Sequence, residues 1–532
     1  VLVFLGALVS PRCAVADATN APVGSRLVEF AGTVEVTAAG TNDWRPAGTN
    51  QWLQVGDRLR TGPDSRATLQ LSDRSTIRIN QSTIIEIRPP VPPARHRFNL
   101  QHGMLYFLDR EQPADIEFET PLTSGAIRGT EFLLDVAGTN AATRLVLIDG
   151  AVALQTATEV LQLTNGQQAW IQPRQPAQIS AMLPADHLIQ WSYYYPAVLN
   201  PTDLAFSAAE TNALADSLAA YAAGDVLRAL AVAPDELAQK SAATRVYYAA
   251  LKLAVGQVAE ARELFEPVGA AADPLRELVA AVKFQSSPVL RTPTNSSDWL
   301  ARSYLLQSQS KLPAALSAAQ EAARRAPDSG FAWVRVAELE LGAGHRPAAQ
   351  EALARARKLA PCNAQALALE GYLALADYQP RQARDWFAQA LAQDSSLPNA
   401  WIGRGLARAQ QGDAAGARED LQIAATLEPG RGLFRSYLAK AWSQFGQDAL
   451  AEKDLALAKH LDPGDPTAWL YSALHEHQTH QVNAAVRDLE RSAELNDNRS
   501  IFRSRLQLDQ DLAMRSADLA AIYDAAGLTE VG

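Results

Sequence analysis

Alanine recurs every 34 residues at Ala315, Ala349, Ala383, Ala417, Ala451 and Ala485, a period that marks stacked helical hairpins and excludes a chain wrapped around one central core. A second column keeps the same register, reading Pro327, Pro361, Ser395, Pro429, Pro463 and Asp497. It places a helix stop once per period, because proline lacks the amide donor and clashes with the preceding turn. A small column (Ser303, Ala337, Gly371, Gly405, Ala439 and Ala473) and a large one (Leu353, Phe387, Leu421, Leu455 and Leu489, with Ala319 the exception) complete the pattern. Two helices of one hairpin cross closely only where small side chains face each other. The large residues then fill the space between hairpins, so stability comes from stacking neighbours.

An aromatic column at Trp299, Trp333, Trp401 and Trp469, broken by Leu367 and Arg435, lies four residues ahead of the small column. Together these columns resemble the tetratricopeptide repeat, with six repeats over residues 296–497, degenerate helical repeats over 206–293, and an incomplete further repeat over 498–532. The resemblance implies that helix A of each repeat lines a concave, partner-binding face. Carried over by position, its residues are Leu300, Tyr304, Phe331, Val334, Tyr372, Ile402, Leu406, Lys440, Leu470 and Leu474. This face is largely apolar and aromatic, which suits an extended or helical apolar segment. The alternative is that part of the stripe is intramolecular core. Only Lys440 stands in a row suited to gripping a peptide carboxylate, so such a clamp is not expected.

Residues 26–173 have a different period. Val34/Val36, Leu69/Leu71, Ile77/Ile79 and Val152/Leu154 alternate between turns rich in Gly, Asp, Asn and Ser, which predicts short antiparallel strands in a sandwich or roll. Gly32-Thr33-Val34-Glu35-Val36, Val55-Gly56-Asp57, Leu59-Arg60-Thr61, Ser65-Arg66-Ala67-Thr68-Leu69, Ile127-Arg128-Gly129-Thr130-Glu131-Phe132 and Gly150-Ala151-Val152 follow in one order. In that order they resemble the extracytoplasmic FecR-like domain of bacterial envelope regulators. In those regulators a cytoplasmic segment contacts a sigma factor, whereas here an export signal leads directly into the domain, so direct sigma-factor control is not expected. Asp57, Asp73 and Asp149 read as turn residues rather than as an acid/base or metal set. The fold class is therefore multidomain, an N-terminal all-β FecR-like domain followed by an all-α solenoid. Residues 174–205, punctuated by proline and carrying Trp191, Tyr193, Tyr194 and Tyr195, form the junction. Those rings offer either a glycan or peptide platform or the packing between the two domains.

The apolar run Val1–Ser10 before Ala14-Val15-Ala16 reads as part of a secretory signal, residues 1–16, which the sequence enters partway. No later run of 18 apolar residues predicts a membrane-spanning helix. A net charge of -10 gives no general attraction to nucleic acid. Two cysteines, Cys13 and Cys362, leave one in the exported chain and so no internal disulfide. His475, His477 and His480 do not share a helical face at metal-ligand spacing. No nucleophile elbow or phosphate loop is present. The expectation is an exported, non-enzymatic scaffold of the periplasm or cell envelope that binds protein partners, without metal or cofactor and with association to the envelope or outer membrane. A sensor related to FecR-type regulators, or a glycan-contacting secretion accessory, is the alternative.

Overall fold

The computed structural model describes residues 24–71, 75–91, 96–108, 116–181, 189–286, 289 and 291–495; of 128–130 only the backbone is described. The signal segment, Asp73, Arg95 and the incomplete repeat over 498–532 lie outside the described residues.

The fold class is that read from the sequence. Among the described residues, fifteen strands lie between Ser25 and Ala181. The hydrogen-bonded path runs through Gln178–Ala181, Gln167–Ile171, Thr143–Thr156, Thr123–Val136, Ile116–Glu119, His96–Leu108, Thr76–Ile79, Arg66–Leu71, Ser25–Ala31 and Trp52–Leu53. A branch leaves His96–Leu108 through Ile84–Arg88, Arg58–Thr61 and Val34–Thr37 and ends at Arg45–Pro46. Pairing is antiparallel except where Ile116–Glu119 lies parallel to the start of His96–Leu108. Gly56 adopts φ +91, and Asp57 accepts the amides of Gln54 and Ala39 at 2.8 and 3.2 Å. That turn is the one glycine and aspartate favour. The register between Thr123–Val136 and Thr143–Thr156 slips between Arg128 and Glu131, the bulge that Gly129-Thr130 suggests.

Three strands read as continuous apolar runs: Leu105-Tyr106-Phe107-Leu108, Phe132-Leu133-Leu134 and Leu145-Val146-Leu147. Successive side chains of a strand point to opposite faces. Leu105, Phe107, Phe132, Leu134, Leu145 and Leu147 fill the interior of the roll, whereas Tyr106, Leu108, Leu133 and Val146 join the core of the helical region. The sheet is therefore buried on both faces there, which is what an unbroken apolar run signals.

Eighteen α-helices follow among the described residues. Six of them, from Ala208–Ala213 to Asp273–Val282, precede six regular hairpins: pair 1 (Ser296–Ser308 with Leu312–Arg325), pair 2 (Gly330–Gly342 with Arg346–Leu359), pair 3 (Ala364–Ala376 with Pro380–Gln393), pair 4 (Pro398–Gln410 with Ala414–Leu427), pair 5 (Gly432–Gln444 with Asp448–Leu461) and pair 6 (Pro466–Gln478 with Val482–Glu494). Within each pair the first helix is A and the second B. All six ladder alanines are at most 4% exposed. The aromatic and proline columns are joined by a repeated hydrogen bond. The indoles of Trp333, Trp401 and Trp469 donate to the carbonyls of Pro327, Ser395 and Pro463, six residues earlier, at 2.9, 2.7 and 3.2 Å.

In pair 6, Glu476 is half-buried and its carboxyl is raised to about 6 by burial, with Asp488 reinforcing the shift and Lys459 opposing it. The folded chain then keeps this proton where the unfolded chain, near the ordinary value of 4.5, has lost it. Stability from this group is present below pH 4.5 and falls as pH rises through about 6. Screening at a half-exposed site limits the effect to about 0.5–1 kcal/mol. Glu476→Gln is expected to remove that loss, so that its urea midpoint exceeds the parent's at pH 7 and matches it at pH 4.

Candidate partner-binding groove and the docked β-domain

The helix A surface of the six pairs contains the ten residues that the repeat pattern assigns to a partner. Leu300, Val334, Tyr372, Ile402 and Leu470 are buried, Tyr304, Phe331, Leu406 and Leu474 are half-buried, and Lys440 is exposed. Much of the stripe faces the protein's own chain. Phe331 tilts against Tyr221 of an early helix at 5.0 Å between centroids. Tyr372 donates its hydroxyl to the Asn399 carbonyl at 2.8 Å, and burial drives its pKa well above the phenolic value. The Arg335 guanidinium lies 3.7 Å over the Tyr304 ring, a cation–π contact between groups shielded from water. Lys440 reaches over the Tyr471 ring at 4.8 Å.

What covers the stripe is the junction. Residues 194–200 form neither helix nor strand and run from the turn between pairs 4 and 5 to the start of pair 1. At one end the Tyr194 amide donates to Glu428 at 2.5 Å, and Arg431 lies 5.7 Å over the Tyr193 ring. Gly430 leaves room there, since a Cβ on it would meet the Tyr193 hydroxyl at 2.2 Å. At the other end the Asn200 amide donates to Ser297 Oγ at 2.8 Å, and that hydroxyl donates to Asp203 at 2.7 Å. Farther along, Gly224 of the early helices presses on Asn363, with the Cys362 amide donating to the Ala223 carbonyl at 2.9 Å. Trp191, Tyr193 and Tyr195 are buried. The rings therefore pack the domains together and present no open platform for a glycan.

The β-domain docks on pairs 4 and 5, the turn before pair 4 and an early helix, through polar contacts at both buried and rim positions. Arg66, 1% exposed, donates to Ser396 Oγ at 2.6 Å. Ser395 Oγ donates to the Phe30 carbonyl at 3.0 Å, and Thr76 pairs with Thr426 at 2.7 Å. Around the rim, Arg26 meets Glu419, Lys252 meets Asp64 and Lys453 meets Asp149. At the centre Arg435 donates to Glu131 at 2.5 Å, to the Tyr106 hydroxyl at 3.1 Å and to Asp454 at 3.4 Å. Burial opposes the charge on Arg435, but Glu131, Tyr106 and Asp454 more than offset it, and its pKa is raised.

Two of these positions depart from the commonest residue of their columns. Arg435 stands in the aromatic column, where its Nε donates to the Pro429 carbonyl at 3.2 Å. It thus keeps the bond an indole makes elsewhere, extends Nη2 to the β-domain and turns Nη1 to Asp454 of its own hairpin. Ser395 stands in the proline column and bonds the strand Ser25–Ala31. The sequence pattern marks Arg435 as a break in the aromatic column and takes Ser395 as an ordinary member of the stop column. A further group keeps the 34-residue register, and only its first member is among the ten groove residues: Phe331, Gln365, Asn399 and Leu433, at the start of helix A in pairs 2 to 5. All four line a cavity beneath the junction.

Among the described residues no cluster of histidine, cysteine and carboxylate can hold a metal ion, and no helix is long and apolar enough to cross a membrane. His475 is 2% exposed and pairs through Nδ1 with Ser443 at 3.0 Å. His480 lies at the hairpin turn with φ +63.

No curated protein matches the chain. Among solved structures, a Parabacteroides distasonis protein described as a candidate anti-sigma factor is 13% identical, covering 26% of this chain and 68% of its own with a TM-score of 0.23. A thermophilic TPR protein of Thermus thermophilus is 22% identical over 34% of this chain and 97% of its own, TM-score 0.30. The pilF protein of Pseudomonas aeruginosa is 15% identical over 40% and 97%, TM-score 0.29. Residues 57–153 match the family model described as FecR protein, and the chain thus joins a FecR-like β-domain to a tetratricopeptide-type helical solenoid.

Proposed function

We propose that the protein is an exported, non-enzymatic scaffold of the bacterial cell envelope whose solenoid holds partner proteins along the helix A face. One observation carries the reading. The helix A side already accommodates an irregular segment, residues 194–200, whose backbone amides donate to solenoid side chains at both ends, as a peptide's main chain does in a groove. The FecR match supports the envelope setting. The surface open to a partner lies toward pairs 5 and 6, where Lys440 is exposed and Leu474 half-buried.

A photo-crosslinking residue placed at Lys440 of the full chain is expected to capture a discrete envelope protein in cells. The same probe at Glu351, exposed on helix B of pair 2, should capture none. Equal capture at both positions, or recovery of the protein from the cytosolic fraction, would sink the proposal. A second reading, an envelope sensor, is favoured by the buried Arg435–Glu131 contact. It predicts that a ligand of the β-domain changes hydrogen exchange in pairs 4 and 5.

A further inference from the structure

The junction does not fill the groove. Between residues 194–197 and the starts of helix A in pairs 2 to 5 lies a cavity of about 230 Å3. An apolar cavity of about 150 Å3 takes up benzene, so this one has room for a fused two-ring molecule. Aromatic rings stand on its walls, Tyr194 from the junction, Tyr304 from pair 1, Phe331 from pair 2 and Phe434 from pair 5. Such walls favour a flat ring, which meets them by its face or its edge.

The carboxylates of the wall have partners inside the protein. Glu338 accepts from Arg335 at 2.8 Å and Glu428 from Arg431 at 3.0 Å. Asp394 accepts from the Ser396 amide at 3.0 Å, and Asp225 from the Arg228 amide at 3.0 Å. Asp462 and Asp465 have partners within the chain as well. Two amide oxygens differ. Asn399, only 8% exposed, lines the cavity, and neither its Oδ1 nor Gln365 Oε1 meets a donor among the described residues. The Gln365 amide nitrogen donates to Glu338 at 3.2 Å, which fixes the oxygen as the end left open. A buried acceptor without a donor is costly unless a ligand supplies one. Water supplies donors but leaves the aromatic wall wetted, whereas a ring that carries its own donor serves both.

We infer that this cavity binds a free aromatic molecule whose ring carries an N–H or O–H donor, of the indole or phenol class. The donor is placed at Asn399 Oδ1 and Gln365 Oε1, with the ring against the aromatic wall. Selection rests on shape and on the demand for a donor, and not on the net charge of the wall. A free molecule is favoured over a partner's side chain because residues 194–197 already occupy the groove beside the cavity. The inference stands apart from the scaffold reading, since the ring lies under the protein's own junction whether or not a partner is bound.

The test is calorimetric titration of the full chain with three probes. Indole carries the donor, benzofuran is the isostere with oxygen in place of the ring N–H, and N-acetyl-tryptophan amide stands for the side chain of a polypeptide. Indole is expected to bind about tenfold tighter than benzofuran, the difference one hydrogen bond to a buried acceptor makes. Asn399→Leu should weaken indole about tenfold while benzofuran binds as it does to the parent, which separates loss of the acceptor from loss of the cavity. Gln365→Met, at a half-buried position, should weaken indole about threefold and guards against a folding defect in the first variant. No indole binding, equal binding of indole and benzofuran, tighter binding of N-acetyl-tryptophan amide than of indole, or indole affinity unchanged in both variants would overturn the inference.

Discussion

Arg435→Met is expected to destabilise the protein by about 3–5 kcal/mol, because it leaves the carboxylates of Glu131 and Asp454 buried without their guanidinium. Both are at most 3% exposed at the side chain, so neither can recover its hydration without the interface opening. The loss should appear as a lower urea midpoint and as protease sensitivity between the β-domain and pairs 4 and 5. A change in volume at residue 435 alone would give a different pattern. Glu131→Gln in the Arg435→Met background removes one stranded charge and should restore about 1–2 kcal/mol, a coupling that neighbours in one network show. If the double variant is no more stable than Arg435→Met, the charge pair is not what holds the dock. Because the chain has two domains, the two probes need not report one transition, and the comparison is best made on the β-domain's own signal.

Phe387→Ala should cost a similar amount, about 3–5 kcal/mol, for a different reason. The ring is fully buried and lies between helix A of pair 3 and helix A of pair 4. A Cβ on Gly371 would come within 2.7 Å of it, and one on Gly403 within 2.1 Å. Tyr372 stacks edge-on against it at 5.0 Å. Removing the ring opens a cavity between two backbones that cannot close over it, since each helix is also fixed by its other neighbour. In a solenoid the damage is local to one junction, so hydrogen exchange should accelerate in pairs 3 and 4 while the roll of strands keeps its protection. Uniform acceleration across the chain would contradict that picture.

The helical hairpins were legible because their determinants are local and periodic. Alanine, proline, tryptophan and the large column each recur at one spacing, and each acts within its own hairpin or the next. The strands of the roll were legible from alternation for the same reason. The candidate site was legible only in part. The helix A columns follow from the register, yet that register says nothing about what lies across them, and residues 194–200 come from outside the repeat. Asn399 and Gln365 share the spacing of Phe331, so the column that lines the cavity was readable in the repeat. The apolar runs around Tyr106, Leu133 and Val146 likewise announced a sheet covered on both faces without saying by what.

By itself, the sequence determined two architectures in tandem and the class of surface each presents, since helix period, strand period and turn chemistry are set by neighbours along the chain. Only the tertiary structure decided that the solenoid is docked and partly filled by its own protein. That outcome rests on pairs such as Arg435 with Glu131 and Ser395 with Phe30, hundreds of residues apart, whose electrostatic and hydrogen-bond complementarity exists only once both folds are formed. The breaks in the repeat were where those distant partners acted, and a one-dimensional pattern can register a break without showing what it meets.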